Sequence, residues 1–443
     1  MVNKKAITSL LLVTAVMMSG CSTQESPAAK SSGDPGKTEA AAANTPFTLL
    51  FYTAQNGNYA NEDNFSKEIG DFITAKFPHI KVEHIHKGKG QDYPDLIAAG
   101  TIPDIILESS TNVKPRIMAN DLHYDLSELI KKHNFDLNRI DSTVLQVLKN
   151  WGDGKLYGLP FMGSNLILGY NKDIFDKFGV PYPKDGITWD EVYDLVRKVS
   201  RAENGVNYVG LRYNSPLVFK YNQRSLGFMS EKEDKAAVNT DAWKDLFANF
   251  KRIYDVPNNE ISIPGEFAGG TEAMDLNVTE KLITWSQKNP SANWDITAAP
   301  VFKDAPKVGF QPNFYSMYVT KQSKHKDEAF DVIAYLLSDE VQAQLSKKAL
   351  LTPLADKKIQ GVFGQDIESL KGKNLQAVFY NRYAAPAPIR DANLTFADVA
   401  GVPGNSFDKM LKNQTDINTA LREAEETINK ALTDAKAQGG GGK

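Results

Sequence analysis

Short apolar strands alternate with amphipathic helices along most of this chain, and this alternation constrains the fold more than any other feature. Residues 47–52 form a nearly continuous apolar run, which is typical of a strand buried on both faces. Strand-like segments return at 80–85 and 105–107, and helical patterns lie between them at 65–73 and 96–99. This order predicts a parallel α/β sheet with connections on both of its faces.

The chain is too long for one hydrophobic core. It has 443 residues, whereas single cores stop growing near roughly 250–300 residues. A capping box from Thr188 to Glu191 starts a later helix, and an apolar stripe with helical spacing runs from Ile417 to Ala431. We interpret the apolar sides of both helices as faces of the hydrophobic core. The expected fold is therefore two α/β lobes of ordinary domain size.

The N-terminus carries the pattern of an export signal. Lys4 and Lys5 precede an uncharged, largely apolar run at 6–18, which is short for a membrane span. The small residues before Cys21 resemble the lipobox of bacterial lipoproteins, where the signal is cut and the cysteine acquires lipid. The alternative is a secretory signal followed by a chance cysteine. Because Cys21 is the only cysteine, the mature fold must be held by burial and hydrogen bonds without a disulfide.

The composition beyond the signal excludes several partners. Residues 21–45 lack large apolar side chains and are predicted to form a flexible stalk. The formal net charge of −3 gives no electrostatic reason to bind nucleic acid or an anionic membrane surface. The sequence shows no second apolar stretch of spanning length, so the lipid on Cys21 would be the only anchor.

A series of short segments runs through the chain in a fixed order: 93–106, 154–160, 168–175, 188–191, 267–274, 299–302 and 334–340. Together with the lipobox, they resemble extracellular solute-binding proteins of the maltose-binding type and cover nearly the whole mature chain. The resemblance implies a two-lobed periplasmic-binding-protein-like fold with about three crossings at a hinge and a cleft between the lobes. It also implies a receptor that captures a sugar or oligosaccharide and delivers it to the permease subunits of an ABC importer.

The expected crossings divide the chain. Pro160 cannot donate a ladder hydrogen bond and is expected to end regular pairing, so the first crossing is placed at 161–165. The others are placed around 311–316 and 350–353. The predicted organisation is a signal peptide at 1–20, a stalk at 21–45, lobe 1 at 46–162 and 316–351, lobe 2 at 163–315 and 352–437, and a flexible tail at 438–443.

Sugar recognition requires flat aromatic faces and fixed hydrogen-bonding groups, and this chain places both after strand ends and at crossings. The alternative is that these polar residues only solvate turns. Malto-oligosaccharide binders place a tryptophan soon after the pair that is Ala273 and Met274 here, whereas the next tryptophan in this chain is Trp285. No particular sugar is therefore assigned. The predicted ligand-binding residues are Asn56, Tyr59, Ser109, Phe161, Asn165, Asp275, Asn313 and Tyr315.

Enzymatic and metal-binding readings find little support in the sequence. It has no zinc-protease motif, no serine-nucleophile elbow and no dinucleotide fingerprint. His84 and His86 would share one face of a strand, but two imidazoles alone make a weak metal site. We therefore predict a monomeric binding protein that is not an enzyme and has no cofactor and no metal.

Three alternatives remain open at this stage. The same scaffold can bind a non-sugar solute such as a peptide, a polyamine or a phosphorylated polyol. The lipoprotein could instead be a surface adhesin, and a carbohydrate-active enzyme is the least favoured reading. The predicted location is the outer face of the cytoplasmic membrane, with the surface of a Gram-positive bacterium favoured over a periplasm.

Overall fold

Two main β-sheets of unequal size organise the chain, and a third sheet has only two strands. The computed structural model describes residues 45–54, 61–267, 269–388 and 399–439. The strands are β1 (Phe47–Thr53), β2 (Ile80–His86), β3 (Ile105–Ser109), β4 (Gly158–Ser164), β5 (Leu166–Asn171), β6 (Arg201–Glu203), β7 (Val206–Tyr208), β8 (Arg212–Tyr213), β9 (Met274–Val278), β10 (Trp294–Ala298) and β11 (Asn313–Val319).

Helices cover both sheets. The α-helices are α1 (Glu62–Phe65), α2 (Asp71–Lys76), α3 (Tyr93–Ala98), α4 (Ser127–Lys132), α5 (Ser142–Trp151), α6 (Lys172–Phe178), α7 (Trp189–Val199), α8 (Ser215–Lys220), α9 (Asp241–Tyr254), α10 (Thr279–Lys288), α11 (Lys326–Leu336), α12 (Asp339–Lys347), α13 (Lys357–Gly361), α14 (Val402–Asn413) and α15 (Ile417–Gly439). Ser66–Gly70 and Val113–Met118 are π-helical, and Ser110–Asn112, Leu137–Arg139, Glu368–Leu370 and Leu375–Phe379 are 3-10 helical.

The first sheet has five strands in the order β2-β1-β3-β11-β4. Strand β1 pairs in parallel with β2 and β3, as the strand–helix alternation predicted. Strand β11 arrives from the far end of the chain and is antiparallel to β3 and β4. Leu49, Phe51, Leu107 and Val319 are fully buried in the core beneath this sheet, which matches the apolar runs of their strands.

The second sheet has four strands in the order β10-β5-β9-β8. Strand β5 is antiparallel to β9 and β10, whereas β8 is parallel to β9. The predicted capping box is confirmed: Thr188 and Glu191 cap α7, and the adjoining Trp189 is buried in the lobe core. The predicted stripe in α15 packs into the same core through residues such as Leu421 and Ile428.

The two sheets are joined at a hinge. Asn165 is the only residue between β4 and β5, the chain returns between β10 and β11, and it crosses again after Leu351. A cluster of apolar side chains from both sheets and from the segment after Leu351 packs at these crossings, and we call it the hinge cluster. Its members include Val144, Ile167, Trp294, Ile296, Phe314, Leu351, Phe363, Leu370, Ala377 and Val378.

Strand β4 runs further than the sequence indicated. Pro160 lies within the strand opposite Ser316, and the pairing register shifts between Tyr315 and Ser316. This bulge on β4 accommodates the missing proline N–H, so pairing resumes at Met162 and continues to Ser164. Residues 163–164 and 313–315 therefore pair within the first sheet, which corrects the boundary that assigned them to the second lobe.

Candidate functional site

The first sheet presents one edge to the crossings. Ser109, at the carboxyl end of β3, lies opposite Tyr315, and Ser164, at the carboxyl end of β4, lies opposite Asn313. Because Asn165 follows Ser164 and leads directly into β5, this edge adjoins the second sheet. Ligands of α/β sheets bind outside the carboxyl ends of the strands, so we call this edge of the first sheet the crossing edge.

The start of α10 closes the crossing edge from the second lobe. The backbone N–H and the hydroxyl of Thr279 both donate to the carbonyl oxygen of Asn165, at 3.0 and 2.9 Å. The Ser164 hydroxyl donates to Glu280 Oε2 at 2.6 Å. These bonds hold the first turn of α10 against the end of β4.

A second contact between the lobes involves two neutral polar side chains. The hydroxyl of Tyr221, which follows α8, donates to Asn313 Oδ1 at 2.8 Å. Burial and the neighbouring Tyr315 raise the pKa of Tyr221, so this residue stays a neutral donor at physiological pH. A second hydrogen bond joins the same two segments: the backbone N–H of Gln311, just before β11, donates to the Tyr221 carbonyl oxygen at 2.9 Å.

The turn after β3 is fixed by one buried carboxylate. Glu108 Oε1 accepts from the Ser109 backbone N–H at 2.8 Å and from Asn112 Nδ2 at 2.9 Å. Its Oε2 accepts from the Tyr93 hydroxyl at 3.1 Å and lies 2.9 Å from Arg116 Nε. A single side chain therefore sets the position of Ser109 and Asn112 at the crossing edge.

These contacts define a candidate binding site, which we call the crossing site. It combines hydroxyl, amide and tyrosine groups from both lobes with one carboxylate, that of Glu280. Such a set suits a polar and largely uncharged solute. Its members are Ser109, Ser164, Asn165, Tyr221, Glu280, Asn313 and Tyr315.

The structure brings four of the predicted site residues together. Ser109, Asn165, Asn313 and Tyr315 all lie at the crossing edge. The side chain of Asn165 donates to the carbonyl oxygen of Val378 at 3.0 Å, so it is tied to the hinge cluster. Three further predicted residues lie outside the described part of the chain: Asn56, Tyr59 and the lipidation candidate Cys21.

Two predicted residues lie elsewhere. Phe161 is fully buried in the core of the first lobe, because the bulge on β4 turns its ring inward, and no face of the ring is open for stacking. Asp275 is the second residue of β9 and lines a cavity of the second lobe, because β9 continues to Val278 before it reaches the crossings. The burial of Phe161 corrects the expectation that its ring lines the cleft, whereas the ligand contact expected of Asp275 stays a prediction.

Sequence reasoning did not select Ser164, Tyr221 or Glu280. Ser164 ends a strand and Glu280 lies in the first turn of a helix, so correct strand ends would have indicated both. The contact of Tyr221 joins residues that are 92 positions apart, and no local pattern indicates it.

The histidine pair is engaged in other contacts. His84 Nδ1 lies 2.6 Å from Glu62 Oε2, and His84 Nε2 lies 2.9 Å from Thr53 Oγ1. Among the residues that the structure describes, no group of three or more His, Cys, Asp or Glu side chains is placed to hold a metal ion. Within the same residues, no helix is both long and apolar enough to cross a membrane.

Comparison with known proteins identifies the class. Residues 68–368 match the family of bacterial extracellular solute-binding proteins, and the chain belongs to this family. The arabinooligosaccharide-binding protein of Bacillus subtilis is 27% identical over 59% of this chain and 55% of its own length. The glycerol-3-phosphate-binding periplasmic protein UgpB of Rhizobium meliloti is 21% identical over 87% of this chain and 94% of its own length. The match spans about half the length of the first curated relatives.

Solved structures show the same architecture. A sugar transporter of Rhizobium etli in an open conformation has a TM-score of 0.69 at 20% identity and covers 86% of this chain and 99% of its own. A substrate-binding protein of Listeria monocytogenes in complex with cycloalternan has a TM-score of 0.65 at 20% identity, with coverages of 88% and 99%. MalE of Xanthomonas citri has a TM-score of 0.69 at 16% identity, with coverages of 90% and 100%. The predicted two-lobed α/β fold is confirmed, and the family places the protein outside the cytoplasmic membrane.

Proposed function

We propose that this protein captures a sugar or oligosaccharide at the crossing site and delivers it to the permease subunits of an ABC importer. The observation that carries the proposal is the meeting of neutral hydrogen-bonding groups from both lobes, Ser164 and Asn313 from the first and Tyr221 from the second. The arabino-oligosaccharide and cycloalternan ligands named for two similar proteins support a carbohydrate.

A solute that touches both lobes has a defined effect on this architecture. Because three crossings join the lobes, their relative motion is restricted to a hinge. A ligand shifts the open–closed equilibrium only by its differential contacts with the closed form. Tyr315 and Glu280 belong to different lobes and flank the same crossing edge, so a sugar that contacts both favours closure.

We infer a binding protein and not a hydrolase. Hydrolysis of a glycosidic bond uses two carboxyl groups roughly 5–10 Å apart on opposite sides of the bond. The crossing site as defined holds one, Glu280, and its Oε2 accepts from Ser164. The relatives named above are binding and transport proteins, which supports the same inference.

The test is calorimetric titration with arabino-, malto- and manno-oligosaccharides, with glycerol 3-phosphate as the non-sugar arm. We expect saturable binding of one sugar class. Tyr315→Ala and Asn313→Ala should each weaken binding by roughly 1–3 kcal/mol, because a stacking ring or a half-buried hydrogen-bonding amide is lost. The matched control is Asn413→Ala, which alters an exposed amide at the end of α14.

Two results would contradict the proposal in different ways. If Tyr315→Ala and Asn313→Ala both bind the sugar like the parent, the ligand lies away from the crossing site. If glycerol 3-phosphate binds and no sugar does, the solute is a phosphorylated polyol.

We also propose that Cys21 carries the lipid anchor, on the outer surface of a Gram-positive cell. Cys21→Ala should leave the protein unprocessed or released into the medium, because the sequence offers no other thiol for the lipid. The measurement is fractionation of cells that express the full chain, followed by a carbonate wash, with Ser22→Ala as the control. A Cys21→Ala protein that stays fully in the washed membranes contradicts the anchor.

A further inference from the structure

The second lobe contains a cavity of about 420 Å³ beside β8, β9 and the start of α10. Small-molecule sites typically enclose about 300–1,000 Å³, so the cavity can hold a sugar unit. It lies on the face of the sheet opposite the main core of the lobe, because Met274 and Leu276 point into that core whereas Asp275 and Asn277 line the cavity.

Two polar groups at this cavity have no hydrogen-bond partner among the described residues. Glu272 is 5% exposed, and its carboxyl group makes no side-chain hydrogen bond there. Trp285 Nε1 is buried and has no acceptor. Buried polar groups are nearly always hydrogen-bonded, so an unpaired acid beside an unpaired indole N–H indicates that a ligand completes the set.

Two cations, Arg212 and Lys281, line the cavity, and neither forms an ion pair with Glu272. Lys281 Nζ lies 4.0 Å from Asp275 Oδ2. The guanidinium of Arg212 donates to backbone carbonyls of the adjacent loop, including those of Glu260 at 3.0 Å and Ile263 at 2.7 Å. Burial and the nearby Asp275 raise the pKa of Glu272 to about 8. Near neutral pH, Glu272 is therefore mainly protonated and can donate a hydrogen bond. Asp275 accepts a hydrogen bond from Asn277 Nδ2, at 3.1 Å from one of its oxygens.

The chemistry of the missing partner follows from these groups. Glu272 and Trp285 offer donors, and Asp275 offers acceptor capacity, so the ligand must both accept and donate. A hydroxyl group does both, whereas an ammonium group only donates. The rings of Phe267 and Trp285, with centroids 4.7 Å apart, form an aromatic wall suited to the C–H face of a sugar.

We propose that this cavity is an additional sugar subsite, which holds one unit of an oligosaccharide whose other units occupy the crossing site. The cavity reaches Asn277, two residues before Thr279, which is bonded to Asn165 at the crossing edge. Glu272 precedes the start of β9 and Asn277 lies near its carboxyl end, so the lining of the cavity follows β9 toward the crossing edge. The inference rests on the proposed function for its ligand class.

The experiment compares two ligands on four forms of the full chain. The ligands are the tightest-binding oligosaccharide of the titration panel and its monosaccharide. The forms are the parent, Trp285→Phe, which keeps an aromatic ring but removes the indole N–H, Glu272→Leu, which removes the carboxyl donor, and the exposed-loop control Glu260→Gln. We expect Trp285→Phe and Glu272→Leu to weaken oligosaccharide binding about 5–30-fold and to leave monosaccharide binding within about twofold of the parent.

The outcomes separate this proposal from the proposed function. Unchanged oligosaccharide binding by Trp285→Phe and Glu272→Leu, with loss of binding in Asn313→Ala, overturns the subsite and leaves the proposed receptor function standing. Equal weakening of both ligands also overturns it, since the variants then disturb the crossing site itself. Failure of the parent to bind any sugar overturns the proposed function and this subsite with it.

Discussion

Replacing Glu272 by glutamine is expected to stabilise the folded protein by roughly 2–4 kcal/mol near pH 8. The carboxyl group is 5% exposed, and burial, together with the nearby Asp275, raises its pKa from 4.5 to about 8. In the unfolded chain the group ionises near 4.5. Between pH 4.5 and 8 the folded state therefore binds more protons than the unfolded state, and stability falls as the pH rises through this window.

The measurement is urea unfolding of the parent and Glu272→Gln at pH 5 and pH 8. The glutamine cannot ionise, so the gain from the substitution should be small at pH 5 and large at pH 8. Glu260→Gln alters an exposed carboxyl group on the neighbouring loop and should change stability little at either pH. A gain for Glu272→Gln that is equal at both pH values would show that ionisation of Glu272 is not its source.

Local patterns were sufficient for the elements of this fold. The strands at 47–53 and 105–109 contain apolar runs, and the strand at 80–86 mixes apolar and polar residues. The helix at 189–199 begins with a capping box formed by Thr188 and Glu191, which are three residues apart. Such features depend on near neighbours in the sequence, so they can be predicted from it. The resemblance to solute-binding proteins supplied the two-lobed arrangement, which the comparisons confirm.

The site was only partly predictable because its geometry depends on pairing between distant segments. Ser109 and Tyr315 meet because β11 inserts beside β3, which the order of family segments indicated in outline. The inward turn of Phe161 depends on a bulge against β11, and the burial of Asp275 depends on where β9 ends. Neither feature leaves a local signal, since a shift of one residue along a strand moves a side chain to the opposite face.

The buried carboxylate of Glu108 shows how the core supports the crossing site. Its two oxygens accept from a tyrosine, a backbone amide and an amide side chain and pair with the charge of Arg116, so one carboxylate serves four groups. Arg116 also lies over the ring of Tyr93, with its guanidinium carbon 4.9 Å from the ring centroid. Removing the carboxylate leaves these groups without their common partner.

Glu108→Ala is accordingly expected to destabilise the protein by roughly 3–5 kcal/mol, the range found when one partner of a buried ion pair is removed. Glu108→Gln keeps an oxygen for the Ser109 and Asn112 donors and loses the charge beside Arg116, so it should lower the stability less than Glu108→Ala does. Urea unfolding monitored by circular dichroism measures both. The matched control is Glu83→Ala, which removes an exposed carboxyl group from β2, the edge strand of the same sheet.

The same variants should also alter binding, because Glu108 fixes the turn that carries Ser109 to the crossing edge. At a temperature where each variant is folded, Glu108→Ala should bind the preferred sugar about tenfold more weakly than the parent, with Glu108→Gln between the two. A purely structural role would lower the unfolding midpoint and leave the affinity of the folded fraction unchanged. That outcome would separate Glu108 from ligand positioning and leave it as a stabilising residue of the first lobe alone.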